Sequence, residues 1–187
     1  MGPTFEEKKI LLETARQSIK SFFTHEKIPE PDYSEHPIFN SHSGAFVTLT
    51  QNKALRGCIG YIISDNPLFQ IIRETAVHAA QDDPRFTPVL LSEVDNLSIE
   101  ISILSEPFPL NNYDEIEVGK HGLILEERGR RGLLLPQVPV EHKMDRDQFL
   151  DALCQKAGLN VDYWRTKQLN LRAFTATVFS EEEILSK

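Results

Sequence analysis

The residue best placed by type to do chemistry in this 187-residue chain is a cysteine between two glycines, in the run Leu55-Arg56-Gly57-Cys58-Ile59-Gly60. A thiol attacks as the thiolate, and Arg56, two positions away, supplies a positive charge that favours that form. Gly57 and Gly60 carry no side chains to cover the sulfur, and they let another backbone or a ligand approach closely. On this reading Cys58 is a nucleophile, a thiol acceptor or a radical relay, and Arg56 anchors an anion. The other reading is the commonest fate of a free cysteine, packing as a small hydrophobe within a strand. The second cysteine, Cys154, lies on the inward face of a patterned helix and fits that fate better.

A second constellation follows the next helix, in Gln81-Asp82-Asp83-Pro84-Arg85-Phe86. With His78 less than two turns upstream, Asp83 and Arg85 bring a carboxylate, a guanidinium and an imidazole close in sequence. They either orient a substrate and move protons, or Asp83 and Arg85 pair locally to lock the turn at Pro84. Glu100 stands on the polar face of an alternating strand. It is an acid–base candidate if a cleft covers that face and a solvated side chain otherwise. His121 precedes Gly122 at a strand start, and Gln137 follows Pro136 in an apolar run where its amide needs partners. The candidate catalytic residues are thus Cys58, Glu100 and His78; the candidate binding residues are Arg56, Gly57, Gly60, Asp83, Arg85, His121 and Gln137.

Several chemistries are excluded by what the chain lacks. There is no phosphate-binding loop, dinucleotide fingerprint, H-E-x-x-H or G-x-S-x-G. Two cysteines cannot supply the three thiolates of a radical-type iron–sulfur site, and the histidines show no ligand spacing beyond His36 and His42. The residues name no metal site and no cofactor. The formal charge of −8 repels nucleic-acid backbones and anionic membranes. The one dense basic cluster, Arg128, Arg130 and Arg131 about Gly129, reads as a solvated hairpin tip. Two distant cysteines suit a reducing compartment, and no apolar run approaches a membrane span, so a soluble cytoplasmic protein is expected.

The elements that must hold these residues read as mixed α and β. Leu11, Leu12, Ala15, Ile19, Phe22 and Phe23 recur at helical spacing, ending before Pro29. A Pro-rich surface excursion follows over 29–43. The residues 45–49 predict a strand, 51–53 a turn and 58–63 the returning strand. Asn66 and Pro67 predict a helix start with Asn66 as the cap, and the helix then runs through Ile71, Ile72, Ala76, Ala79 and Ala80 to stop before Pro84. Its alanines imply close packing on a sheet. Strict alternation over 98–103 puts Ile99, Ile101 and Ile103 on one face. Downstream, 122–125 and 133–135 form a second hairpin. Asp145 and Gln148 form a capping box for a helix ending at Gly158, a short helix spans 162–166, and one closing strand covers 171–179. Hairpin, helix and strand thus occur twice, each time with Arg-Gly before the returning strand. This favours two similar halves meeting at a common sheet.

The runs GAFVTL (44–49), LRGCIG (55–60), DPRF (83–86), LSIEISILS (97–105), VGKHGLIL (118–125), GLLLPQV (132–138) and FLDALCQKAGL (149–159), then the Trp164 region, occur in one order. In this the chain resembles the AMME syndrome chromosomal-region family (AMMECR-type domain), also called AmmeMemoRadiSam system protein A, over residues 5–182. The resemblance implies one compact α+β domain of two subdomains, with a duplicated unit around a barrel-like antiparallel sheet and LRGCIG at a cleft between the subdomains. It also implies a Memo-type protein and a radical SAM protein as partners, and carries no established reaction. Two function classes follow. One is an enzyme or enzyme subunit working through Cys58; the other is a non-catalytic module that presents a substrate or docks a partner.

Overall fold

The computed structural model describes residues 2–185. Along the chain run α1 (Phe5–Thr24), β1 (Ala45–Gln51), β2 (Ala54–Tyr61), α2 (Leu68–Gln81), β3 (Ser98–Leu104), β4 (Phe108–Leu110), β5 (Gly122–Glu127), β6 (Arg130–Leu134), α3 (Gln137–Glu141), α4 (Arg146–Lys156), α5 (Tyr163–Thr166), β7 (Leu171–Phe174), β8 (Ala176–Ser180) and α6 (Glu181–Leu185). They divide into two compact units, residues 2–104 with 177–185 and residues 105–176.

In the first unit the strands lie in the order β2-β1-β3-β8, with β1 antiparallel to both β2 and β3. Alternation decides the register. Val47, Leu49, Ile99 and Ile101 are fully buried with Leu12 of α1 and Ile72 and Ala76 of α2. A one-residue slip of β1 would turn Val47 and Leu49 to the opposite face, at about 2 kcal/mol each. The turn between β1 and β2 is Asn52-Lys53, both at positive φ (51° and 65°), which is the two-residue geometry that matches strand twist. It starts β2 four residues earlier than the sequence indicates, so all of Leu55–Gly60 is strand.

The second unit has the order β4-β7-β5-β6, with β5 antiparallel to β6 and β7. Leu123, Leu125, Leu171 and Ala173 are buried with Phe149, Leu150 and Leu153 of α4. Both bonds of the Asp145–Gln148 capping box form, and Gly158 ends the helix at φ +71°.

The duplication read from the letters holds in the topology. Each unit has a hairpin, a helix and a third strand that pairs with the hairpin's first strand. The row Gly57–Leu49–Ile99 in the first unit corresponds to Gly132–Leu125–Leu171 in the second. A Cβ on Gly57 would lie 2.0 Å from the Ala79 carbonyl oxygen of α2, and one on Gly132 would lie 2.8 Å from that of Leu153 in α4. The repeated Arg-Gly therefore marks the point where each helix backbone presses on its hairpin.

Three expectations are corrected. The strands form two separate four-stranded sheets rather than one common barrel-like sheet, and neither strand order closes on itself. The expected closing strand over 171–179 is two strands, β7 in one sheet and β8 in the other, broken at Thr175. Ser105 pins that break: its N–H donates to the Thr175 carbonyl and its Oγ accepts the Thr175 N–H, each at 2.9 Å. Asn66 does not cap α2. The N-cap is Pro67, and the Leu68 N–H that a side-chain cap would leave to others donates to the Ser41 carbonyl at 2.8 Å. The short elements β4, α3 and α6 carry too few residues for a periodicity to show.

Candidate functional site

The two glycines around Cys58 face opposite ways, because successive strand residues alternate faces. Gly57 is buried beneath α2, where only a bare Cα lets the helix backbone in. Gly60 points to the other face, the one that Cys58 shares, and there the ring of Phe46 fills the space. A Cβ on Gly60 would sit 2.3 Å from the Ala45 carbonyl oxygen and 2.4 Å from Phe46 Cγ. One glycine serves packing, and the other lays an aromatic ring beside the cysteine.

Cys58 is partly exposed and is held by its backbone. β2 is an edge strand, so alternate backbone groups point away from the sheet. The outward N–H of Cys58 donates to Asp83 Oδ2 at 2.9 Å, and its carbonyl accepts from Arg85 Nη2 at 3.4 Å. Asp83 also takes Arg85 Nε at 2.9 Å, Arg85 Nη2 at 2.6 Å and the Arg85 backbone N–H at 3.1 Å. The Arg85 guanidinium, joined by the Cys58 and Arg85 backbone donors, holds the Asp83 carboxyl far below the ordinary carboxylate range, against the opposing effect of burial. Asp83 in turn pushes Arg85 upward, with a smaller contribution from Cys58. The side chain of Asp83 is 2% exposed and that of Arg85 55%, so the pair is anchored at one end and open at the other.

Across the sheet, Thr48 lies opposite Cys58 on one side and Glu100 on the other. Its hydroxyl donates to Cys58 Sγ at 3.3 Å. Cys58 and Glu100 are thus two strands apart, roughly 10 Å between backbones at ordinary strand spacing. Thr48 and Glu100 also line a polar depression of about 250 Å³ with Thr50, Lys53 and Ser98.

The other candidates are placed elsewhere. Arg56 occupies the bulge between the Leu49–Gly57 and Thr50–Leu55 pairs, and its guanidinium turns to Glu93 (3.2 Å from both Nε and Nη2) and to the Thr87 carbonyl (2.8 Å). The Leu90 backbone N–H, followed by Arg56, lowers the Glu93 carboxyl. Arg56 is thereby a tie between β2 and the 87–93 segment. His78 lies 4.0 Å from Asp82 and lines a larger depression of about 630 Å³, formed with Phe22 of α1, Phe69 and Arg73 of α2, and Glu30 and Tyr33. Cys58 and Glu100 do not line it, so that depression and the cysteine are separate features. His121 and Gln137 belong to the second unit. His121 is buried, with Nδ1 accepting the Glu117 N–H at 3.2 Å and its ring against the Phe108 edge; Gln137 opens α3.

Sequence reasoning missed Thr48, Phe46 and Glu93. The first two carry a signal in hindsight, since they alternate with buried Val47 and Leu49 in GAFVTL. Which of them meets Cys58 depends on hairpin register.

The fold and site together define a duplicated α+β protein with a cysteine-bearing edge strand. The AMMECR1 family model matches residues 12–179, and the chain belongs to that family. It is 42% identical over 185 residues to Protein Mbar_A1807 of Methanosarcina barkeri, covering 95% of this chain and 91% of that protein. Protein MJ0810 of Methanocaldococcus jannaschii is 40% identical over 188 residues, covering 96% and 92%. The crystal structure of uncharacterized protein PH0010 from Pyrococcus horikoshii superposes with a TM-score of 0.81 at 39% identity, covering 94% of this chain and 92% of that one. No helix among the described residues is long and apolar enough to cross a membrane.

Proposed function

We propose that the chain is an enzyme or enzyme subunit working through Cys58, the AmmeMemoRadiSam system protein A that operates with a Memo-type protein and a radical SAM protein. The resemblance in its ordered motifs supports the partners. The observation that carries the chemistry is the partly exposed Cys58 thiol, hydrogen-bonded by Thr48 while its backbone is fixed by a buried carboxylate. A nucleophile or thiol acceptor needs that combination of access and fixed position. Glu100 serves as the proton-handling group through a bound molecule or water, and Arg85, rather than Arg56, is the cation beside the thiol. The test compares alkylation of Cys58 by iodoacetamide in the native and urea-unfolded chain. Native labelling faster than unfolded labelling supports the reading. Native labelling no faster, together with full activity of Cys58→Ala in a reconstituted three-component mixture, overturns it.

A docking module is the second reading, favoured by the apolar exposure along the edge strand. Leu55 and Tyr61 of β2, and Ile63 just beyond it, are all exposed. Partner capture that survives Cys58→Ser and is lost in Leu55→Asp would select this reading over the first.

A further inference from the structure

Arg85 has five N–H donors in a rigid plane. Those facing Asp83 are fixed by two short bonds, and one more reaches the Cys58 carbonyl at 3.4 Å. Among the described residues no hydrogen bond leaves Nη1, and the side chain is more than half exposed. A guanidinium braced by a buried carboxylate loses little rotamer freedom on taking a ligand, which is the arrangement that favours planar oxyanions. Its position at the cysteine is shown by the carbonyl contact. On the face that the Cys58 side chain shares with Gly60, Phe46 pairs with that glycine, and its ring covers it one step along from the Thr48–Cys58 pair. An aromatic wall, a thiol and an oriented guanidinium thus lie along one stretch of β2.

We infer that Arg85 is the anion anchor of the Cys58 site, and that the site takes a small molecule pairing a carboxylate with a flat apolar part that rests on Phe46. This rests on the reading of Cys58 as an accessible thiol and adds the class of molecule brought to it. Asp83 is the positioning residue, since it touches Arg85 and the Cys58 backbone rather than the ligand.

The experiment measures alkylation of Cys58 in the whole chain by iodoacetate and by neutral iodoacetamide, with benzoate, benzamide and acetate as protecting probes. The iodoacetate-to-iodoacetamide rate ratio should fall about fivefold in Arg85→Gln, the order expected for unit charges ~4 Å apart in water. Arg85→Lys, which keeps the charge near the buried carboxylate, should fold and retain part of the ratio. Benzoate should protect better than benzamide in a manner lost with Arg85→Gln, and better than acetate in a manner lost with Phe46→Ala. Labelling without discrimination by charge, unchanged in both Arg85 variants, overturns the anchor while leaving the accessible thiol intact. Labelling by neither reagent defeats the thiol reading itself. In that case the Arg85 Nε resonance followed during benzoate titration decides the anchor, and an unmoved resonance overturns it.

Discussion

The buried carboxylate of Asp83 accepts the backbone N–H of Cys58 at 2.9 Å, across 25 residues of chain. Edge strands expose unpaired backbone groups, and here one such pair of groups is closed by a side-chain ion pair instead of another strand. The step in β2 that carries the cysteine is therefore fixed by the same two residues that place a cation beside it.

Removing that carboxylate should loosen the site and cost stability. Asp83→Ala leaves the Cys58 N–H and the Arg85 donors without their acceptor, a loss of about 2–3 kcal/mol, with the exposed Arg85 resolvated by water. Urea denaturation checks the magnitude. Hydrogen exchange at the Cys58 amide should accelerate more than at amides of β3.

The same carboxylate should make stability depend on acid. Its folded pKa is depressed by Arg85, so its contribution is complete above the ordinary carboxylate value and is lost as the pH falls through the depressed folded one. The stability difference between wild type and Asp83→Asn should be constant from pH 7 to 5 and shrink below about pH 4. Urea midpoints at pH 7, 5 and 3 test this; a difference that stays constant down to pH 3 would refute it.

Neither glycine should tolerate alanine. Gly57→Ala drives a methyl into the Ala79 backbone and should cost about 3 kcal/mol, the upper end for overpacking. Gly60→Ala meets the Ala45 carbonyl oxygen at 2.3 Å, a backbone atom that cannot swing aside, as well as Phe46 Cγ at 2.4 Å, and should cost about as much. Thermal melts of the two variants check this, and a loss below about 1 kcal/mol in either would show that the backbone it meets yields.

The two thiols should separate kinetically. Cys154 is fully buried, and its thiol is pushed up by burial, whereas Cys58 is partly exposed. Native labelling read by mass spectrometry should modify Cys58 alone, with Cys154 reacting only as the chain unfolds. Thr48→Val removes the hydroxyl from Sγ without emptying its space, so a changed Cys58 rate at unchanged stability assigns that bond a role in reactivity.

Arg56 and Glu93 should behave as a structural tie. Each alanine variant should lose about 1–2 kcal/mol and the double variant less than the sum, because the pair is partly buried and both of the Glu93 oxygens are engaged. A strictly additive double-mutant cycle would mean that the pair contributes nothing to holding the 87–93 segment.

Local pattern carried much of this protein. Alternation at Ile99, Ile101 and Ile103, the three-to-four spacing of α1 and α2, and the Asp145–Gln148 box are each written within a few residues, so they are legible in one dimension. The Arg-Gly pairs showed the duplication faintly, and its cause is a helix backbone pressing on a glycine, which no letter count contains. The Cys58 candidate was visible from its glycine neighbours, but its company was not. Arg56, two positions away in sequence, bends away at a bulge to meet Glu93, while Arg85 and Thr48 reach the cysteine from a loop and a neighbouring strand. Those partnerships depend on hairpin register and on where α2 delivers Asp83. Likewise the 171–179 run reads as one strand because no glycine or proline interrupts it; only pairing with Ser105 breaks it at Thr175 and sends its halves to different sheets. Sequence set which segments are helix or strand and which face each buries, since both follow from short-range periodicity. Tertiary packing decided which charges meet the Cys58 backbone and which hydroxyl meets its thiol, because that is fixed by contacts between residues far apart along the chain.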